Sequence, residues 1–195
     1  PRDTGRVETV NDANAYLCLG GMYGLRARLA VLQHRWIKAY FDGKKAISNT
    51  KMALKIDPEM YDAYLGLGMY EYYAGTLSGV VKILAKFFLR GDAKEGIRLL
   101  NVCKEKGYFN ALAAKLLLIE IYTTTGSPYM NRELAVKWSR ELREAYPVHP
   151  QMHFVEIVSL YENRQYDESR RESLAYLKAV EEGKPSYRRR YLPRV

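Results

Sequence analysis

The sequence predicts an all-α protein built from antiparallel helical hairpins, with about 8–10 helices in total. Apolar residues recur at steps of three and four along most of the chain, which places them on one face of a helix. Proline and glycine interrupt these stretches at intervals that suit short helices. No run of alternating apolar and polar residues is long enough to indicate a β-strand. With 48% hydrophobic and 27% charged residues, the composition is that of a globular chain with a continuous core.

An internal repeat supports this prediction. Residues 15–21, AYLCLGG, align with residues 63–69, AYLGLGM, at an offset of 48 residues. Each of these two units has a first helix, an insert and a second helix. The inserts, residues 25–40 and 76–89, have helical periodicity of their own. We therefore predict that an added helix enlarges each of the first two units.

The joint between these two units has a clear sequence signature. The second helix of the first unit ends before Pro58, because proline disfavours helical backbone in the residue that precedes it. A new helix starts a few residues later. The residues that mark this joint are small or large at fixed positions: Ala46, Ala53, Tyr64, Leu67 and Gly68.

Two shorter units are predicted to follow. The third, residues 111–147, has a first helix, a TTTGSP loop and a second helix that ends before Pro147. The fourth begins at Pro150, since the amide that proline lacks has no partner at a helix start. It turns at residues 163–166 and ends with a helix that continues to about Val180.

The chain is predicted to form a single helical-repeat domain over residues 11–180, with flexible ends at residues 1–10 and 181–195. Cys18 and Cys103 fall at apolar helix positions and are expected in the core as free thiols, and a disulfide between them is the alternative if the protein belongs to the cell envelope. The longest apolar stretch is broken by lysines and is shorter than the roughly 20 residues that a bilayer requires. No transmembrane helix is therefore expected, and the compartment stays open between the cytoplasm and a bacterial envelope.

The residues that mark the joint, together with Pro58, resemble the consensus of the tetratricopeptide-repeat (TPR) family, whose usual repeat is about 34 residues. The enlarged units resemble bacterial TPR proteins of unassigned role and the eukaryotic TPR family linked to inclusion-body clearance. This resemblance implies a right-handed α-solenoid whose first helices line a concave, protein-binding face. It implies no enzyme activity.

The resemblance also suggests where a partner binds. Chaperone-binding TPR proteins hold a carboxylate with Lys and Asn, but this chain has Leu17, Gly21, Leu65 and Met69 at those places, so no carboxylate clamp is expected. Met69, Tyr72 and Tyr73 should face the concavity, whereas Tyr64 and Tyr70 are expected to pack between helices. The candidate binding residues are Arg26, Leu65, Met69, Tyr72, Tyr73 and Glu120.

The second insert allows a different function. Residues 76–90 carry apolar side chains on one stripe and Lys82, Lys86 and Arg90 on another. The pattern is typical both of a helix packed on a solenoid and of an interfacial membrane helix. Packing is favoured, and a peripheral membrane or envelope tether is the alternative.

Charge gives weaker indications of a partner. The formal net charge of +9 includes a basic strip after the first helix, formed by Arg26, Arg28, Arg35 and Lys38. Such a strip attracts phosphate or acidic peptide, or covers apolar surface with its aliphatic stems. A nucleic-acid partner is disfavoured. The segment most similar to a nucleic-acid-binding motif is the YRRRY tail, which is too short to be strong evidence.

No catalytic constellation is found. His149, His153 and Glu156 superficially offer metal ligands, but Pro150 places His149 at or before a helix start, off their common face. No nucleophile elbow, phosphate-binding loop or zinc motif is present. The sequence thus predicts a non-catalytic scaffold that binds a protein or peptide partner and needs no cofactor. Homodimerisation through an exposed end of the solenoid is left open.

Overall fold

The computed structural model describes residues 9–76 and 91–188. Within these residues all regular secondary structure is helical, which confirms the all-α prediction. The eight helices of this described part are α1 (Val10–Leu32), α2 (Trp36–Ile56), α3 (Ala63–Thr76), α4 (Ala93–Lys106), α5 (Ala111–Thr123), α6 (Arg132–Ala145), α7 (Pro150–Glu162) and α8 (Tyr166–Glu181).

The chain divides into two compact units, Pro1–Ala114 and Lys115–Val195. In the first unit α1 packs on α2, α2 on α3, and α3 on α4. In the second unit α6 packs on α7, and α7 on α8. The ring of Tyr122 on α5 lies 5.6 Å from that of Trp138 on α6. Helices that follow one another in sequence are thus packed against one another in each unit.

Several predicted helix boundaries agree with the structure. Helix α2 ends at Ile56, two residues before Pro58, and Asp57 caps it in extended backbone. Pro150 is the first residue of α7. Residues 163–165 of the predicted turn lie between α7 and α8, and Tyr166 is the first residue of α8. Proline therefore gave accurate boundaries at two of these places, because its ring excludes one backbone conformation.

The added helix predicted in the first unit is not formed. Residues 25–40 instead lengthen both members of a hairpin, since α1 continues to Leu32 and α2 starts at Trp36. The prediction was wrong because a continuing helix and a new helix have the same apolar periodicity. The second predicted insert lies almost entirely within residues 77–90, outside the described residues.

A Schellman turn joins α1 to α2. The Arg35 amide donates to the Ala30 carbonyl at 2.8 Å, and the His34 amide donates to the Val31 carbonyl at 3.0 Å. His34 has φ of 56°, in the left-handed region that glycine usually occupies in such turns. Because neither glycine nor proline is present, the sequence gives no ordinary signal for this turn.

Each of the two hairpins in the first unit has a close contact between its own two helices, made at a glycine. An ideal Cβ on Gly20 of α1 would lie 3.2 Å from the Ala46 carbonyl oxygen on α2. An ideal Cβ on Gly68 of α3 would lie 2.9 Å from the Gly96 carbonyl oxygen on α4. Gly20 and Gly68 are 48 residues apart, so the repeat seen in sequence is also a repeat in packing.

Two predictions about the ends and the cysteines need correction. Residues 182–187 are ordered after α8, and the Lys184 amide donates to the Ala179 carbonyl at 3.0 Å. Tyr187 is buried against Tyr176, so this part of the expected flexible end is folded onto the second unit. Cys103 is buried as expected, but Cys18 is exposed on α1.

Candidate interaction site

The loop between α4 and α5, residues 107–110, presents two aromatic side chains to solvent. Tyr108 is 85% exposed and Phe109 is 79% exposed. Their rings contact each other edge to face, with centroids 4.8 Å apart. Large side chains are seldom left so exposed when they contribute only to folding, because burying them is favourable. We call residues 107–110 the aromatic loop.

A buried carboxylate fixes the backbone of the aromatic loop. Oδ1 of Asp62 accepts hydrogen bonds from the amides of Phe109 at 3.0 Å and Asn110 at 2.7 Å. Its Oδ2 accepts from the Tyr108 amide at 3.2 Å. The side chain of Asn110 donates in return to the Asp62 carbonyl at 3.0 Å. The Tyr108 and Phe109 rings are therefore presented from a backbone that is already ordered.

Asp62 acts across a long sequence separation. It directly precedes α3, whereas Asn110 directly precedes α5. The first amides of a helix have no partner within the helix, and amides just before it need one as well. Asp62 provides acceptors for three amides just before α5, so one side chain from the start of α3 holds the loop that leads into α5.

The loop requires glycine at its first position. An ideal Cβ on Gly107 would lie 2.6 Å from the Cys103 carbonyl oxygen and 3.0 Å from Oδ1 of Asp62. Neither of these atoms can move freely, because the first is backbone and the second is held by amides. Burial, reinforced by the negative charge of Asp62, raises the pKa of the Cys103 thiol to about 12. The thiol is therefore neutral and is no nucleophile at physiological pH.

Further aromatic and cationic groups lie at the same end of the α3–α4 hairpin. The rings of Tyr61 and Tyr64 stack with centroids 6.3 Å apart. Nζ of Lys106 lies 5.0 Å from the centroid of the Tyr61 ring, a cation–π distance. This end of the hairpin thus offers flat apolar faces with polar edges, the surface that protein interfaces favour.

Four of the predicted binding residues lie on α3, but they do not all face solvent. Leu65 and Met69 are half-buried and Tyr73 is exposed. Tyr72 is buried, with only 6% exposed, which corrects the prediction that it faces a binding groove. It lies four residues after Gly68, on the face that packs against α4, and an ideal Cβ on Gly96 would meet its amide nitrogen at 2.5 Å.

The remaining two predicted residues belong to different units. Arg26 on α1 forms an ion pair with Asp42 on α2 at 3.4 Å, and its guanidinium lies 5.2 Å from the Tyr23 ring centroid. Asp42 is buried, so this pair links the two helices of the first hairpin. Glu120 on α5 is exposed, and its carbonyl oxygen accepts from the Thr124 hydroxyl at 2.8 Å.

The aromatic loop was missed by the sequence prediction, although a signal existed. Asn14, Asp62 and Asn110 recur at intervals of 48 residues, each just before the small residue that starts the aligned segment. Asn and Asp side chains often hydrogen-bond to backbone at turns and helix starts, so their recurrence at one place indicates a structural role there. The signal did not show that Tyr108 and Phe109 are left exposed, since exposure depends on the packed structure.

His153, whose spacing from His149 only superficially resembles a metal site, has a structural environment in the second unit. It is buried, with Nδ1 3.0 Å from the Tyr187 hydroxyl and Nε2 3.4 Å from a Glu172 carboxylate oxygen. His149 is the N-cap of α7, as Pro150 predicted. Within the described residues, no group of three or more His, Cys, Asp or Glu side chains could hold a metal ion.

Among residues 9–76 and 91–188, no helix combines the length and the apolar character needed to cross a bilayer. No protein-family model, no curated protein and no solved structure matches this sequence.

Proposed function

We propose that this chain is a non-catalytic interaction scaffold that binds a protein or peptide partner through the aromatic loop. In this proposal the helical hairpins are TPR-like repeats wound into a right-handed solenoid. The packing repeat at Gly20 and Gly68 supports repeated hairpins. The resemblance of the Ala46 to Gly68 joint to the TPR consensus supports the family.

One observation carries the proposal: two adjacent aromatic side chains are almost fully exposed on a backbone that Asp62 holds in place. Aromatic residues contribute most of the binding energy at many interfaces, where they fill pockets or receive apolar side chains. A preordered loop loses little conformational entropy when a partner binds. Tyr108 and Phe109 therefore have the chemistry and the rigidity of an interface anchor.

The binding surface extends along α3. Leu65, Met69 and Tyr73 follow Asp62 at steps of three, four and four residues, so they share one side of the helix. Tyr73 is exposed, while Leu65 and Met69 are half-buried. A partner that engages the aromatic loop can thus continue over mixed apolar and aromatic surface, as an extended peptide or a helix would.

The proposal can be tested with a phage-displayed random peptide library selected on the whole chain. We expect selected peptides to bind the wild type measurably by fluorescence anisotropy. Replacing Tyr108 and Phe109 together by Ala should weaken binding by about 2 kcal/mol, roughly 30-fold, as for an interface anchor. Far-ultraviolet circular dichroism should not change, because both side chains are exposed.

The second unit provides a matched control. Tyr161 and Tyr166 are also exposed, and their rings make a similar edge-to-face contact with centroids 5.4 Å apart. Replacing both by Ala should leave peptide affinity unchanged. Equal loss in the two double variants, or selection of no peptide by the wild type, would count against a specific site at the aromatic loop.

A further inference from the structure

The far end of the α1–α2 hairpin carries a second surface, which is both apolar and basic. We call residues 25–41 the hairpin tip. Leu25 is 70% exposed, Leu32 71% and Ile37 77%. Leu29, Val31, Trp36 and Phe41 are exposed as well. An exposed apolar surface of this extent indicates a binding surface rather than an ordinary solvent-facing surface.

The exposed apolar side chains are organised along one face of α1. Met22, Leu25, Leu29 and Leu32 follow at steps of three, four and three residues, and all are exposed. Buried Gly20 and Ala30 lie on the other side of the helix, the side toward α2. Helix α1 therefore has two apolar faces. Across residues 21–41, all of which the structure describes, Ala30 alone is buried.

The charges around the hairpin tip have one sign. Residues 13–41 contain Arg26, Arg28, Arg35 and Lys38 but no Asp or Glu. Arg28 and Arg35 are exposed, and Arg26 and Lys38 share the buried carboxylate of Asp42. Lys44 and Lys45 continue the basic surface on α2. A surface with this charge is complementary to an anionic partner and repels a second copy of itself.

The turn at the hairpin tip is hydrogen-bonded to the end of α1. The amides of Gln33, His34 and Arg35 all donate to carbonyls of α1, at 2.8–3.0 Å. Because these three amides are bonded within the chain, they need no water partner where the turn meets a lipid interface. The first amides of α2 have no side-chain cap at Arg35, so they stay at the depth of water and lipid headgroups. The ring of Trp36 contacts that of His34 beside this turn. Trp favours the interface between lipid headgroups and acyl chains, because it has an apolar body and one polar group.

We infer that the hairpin tip binds the surface of an anionic lipid bilayer. In this arrangement Leu32, Trp36 and Ile37 enter the interface, and the basic side chains remain at the level of the lipid phosphates. The inference does not depend on the aromatic loop, which lies on other elements. Replacing Tyr108 and Phe109 by Ala should therefore leave lipid binding unchanged.

Trp36 itself can report the interaction, since the chain contains only two tryptophans. Trp138→Phe leaves Trp36 as the single tryptophan in the otherwise complete chain, and excitation at the red edge of the absorption band avoids the 17 tyrosines. Vesicles of phosphatidylcholine and phosphatidylserine should shift its emission to shorter wavelength, and brominated lipids should quench it. Purely zwitterionic vesicles should bind at least roughly tenfold more weakly than anionic vesicles. High salt should weaken binding to the anionic vesicles. No shift and no co-sedimentation with anionic vesicles would overturn the inference.

Matched variants separate the hairpin tip from general stickiness. Leu32→Ser with Ile37→Ser should weaken vesicle binding at least roughly tenfold, because two large apolar side chains no longer enter the interface. Leu174→Ser with Leu177→Ser, also exposed but on α8, should leave it unchanged. Circular dichroism should show that both variants are folded. Equal loss of binding in the two pairs would contradict the inference.

Two other occupants of the tip are distinguishable in the same assay. A second copy of the chain would give a Trp36 shift that depends on protein concentration without lipid, together with a dimer in sedimentation equilibrium. An acidic polypeptide partner would be mimicked by soluble poly-glutamate, which should then shift Trp36 emission as strongly as vesicles. Either result would overturn the assignment to a lipid surface.

Discussion

Asp62 is the residue whose side chain links the fold to the proposed site. Its buried carboxylate accepts three backbone amides of residues 108–110. A partly buried amide that loses its hydrogen-bond acceptor costs free energy, and the Asp62 carboxylate serves three such amides. A single residue thus determines whether Tyr108 and Phe109 are held in one orientation.

Asp62→Ala should lower the free energy of unfolding by about 2–4 kcal/mol, because three amides lose one shared acceptor. Urea denaturation measures this loss, and amide hydrogen exchange should become faster at residues 108–110. Asp57→Ala is the matched control, since Asp57 accepts one exposed amide, that of Glu59 at 3.0 Å. It should cost less than about 1 kcal/mol. Similar stability losses in both variants would show that Asp62 does not anchor the loop.

His153 makes the stability of the chain depend on pH. Burial, together with the positive charge of Arg143, lowers the pKa of His153 below its ordinary value of 6.5, although Glu172 opposes this shift. The unfolded chain then binds the proton more readily than the folded chain does. Stability from this group is complete above pH 6.5 and is lost as the pH falls toward the lower pKa of the folded state.

Glu156 acts in the opposite direction. Burial and the nearby Glu172 raise the pKa of Glu156 above its ordinary 4.5. Its contribution is complete below pH 4.5 and is lost as the pH rises through the raised pKa of the folded state. The loss of stability below pH 6.5 must therefore be assigned by substitution rather than from the wild-type profile alone.

His153→Gln should reduce the dependence of unfolding free energy on pH between about 7.5 and 5, since glutamine does not titrate. Its stability at pH 7.5 should also fall, because the contact with the Tyr187 hydroxyl is altered. Urea denaturation at several pH values measures both effects. His149→Gln, at an exposed N-cap four residues earlier, should retain the wild-type dependence. An unchanged slope in His153→Gln would refute this assignment.

At the scale of elements, α3 and α4 make a close backbone contact in the first unit. Gly68 and Gly96 allow the two backbones to approach, so that even one methyl group would meet a carbonyl oxygen. Gly66 is also in α3, but an ideal Cβ there has only the Thr50 hydroxyl nearby, at 3.7 Å. Gly66 and Gly68 lie on the same helix but only Gly68 is in close contact with α4. Comparing substitutions at these two positions therefore isolates the effect of helix packing.

Gly68→Ala should destabilise the chain by about 2 kcal/mol or more, because the added methyl group separates two packed helices. Gly66→Ala should be neutral or stabilising by up to about 1 kcal/mol, since alanine favours the helical state. Thermal or urea unfolding of the two variants gives the comparison. If Gly68→Ala were as stable as Gly66→Ala, the close contact of α3 with α4 would not exist in solution.

Helix boundaries were predictable where a residue has a strong backbone preference. Pro58 and Pro150 gave the end of α2 and the start of α7. The end of α1 was not predictable in the same way, because His34 adopts the left-handed conformation without being glycine. Periodicity identified residues 25–40 as helical but could not show that they extend two existing helices.

At the scale of the whole molecule, the candidate site depends on contacts between distant parts of the sequence. Sequence reasoning identified α3 as a helix rich in tyrosine and proposed Tyr72 and Tyr73 for binding. The structure leaves Tyr73 exposed but buries Tyr72, since a rotation of about 100° per residue separates their directions. The aromatic loop could not be predicted from local sequence. Asp62 accepts hydrogen bonds from Tyr108, Phe109 and Asn110, which follow it at a distance of 46 to 48 positions along the chain.

The charge of the whole molecule also has a local origin. The net charge of +9 does not by itself show where an anionic partner would bind. From the sequence alone, the charge was compatible with several kinds of partner. The structure joins part of this charge to exposed apolar residues at the hairpin tip. The aromatic loop and the hairpin tip thus give the first unit two surfaces of different chemistry, each with its own expected partner.

The central claim, that a partner binds the aromatic loop, is tested most directly by site-specific photocrosslinking. Phe109 is replaced by the photoreactive analogue p-benzoylphenylalanine in one variant, and exposed Tyr161 is replaced by it in a control. Each is irradiated with a library-selected peptide. We predict that mass spectrometry finds the peptide attached at position 109 and not at position 161. Attachment at position 161 alone, or at neither position while the peptide still binds, would contradict the claim.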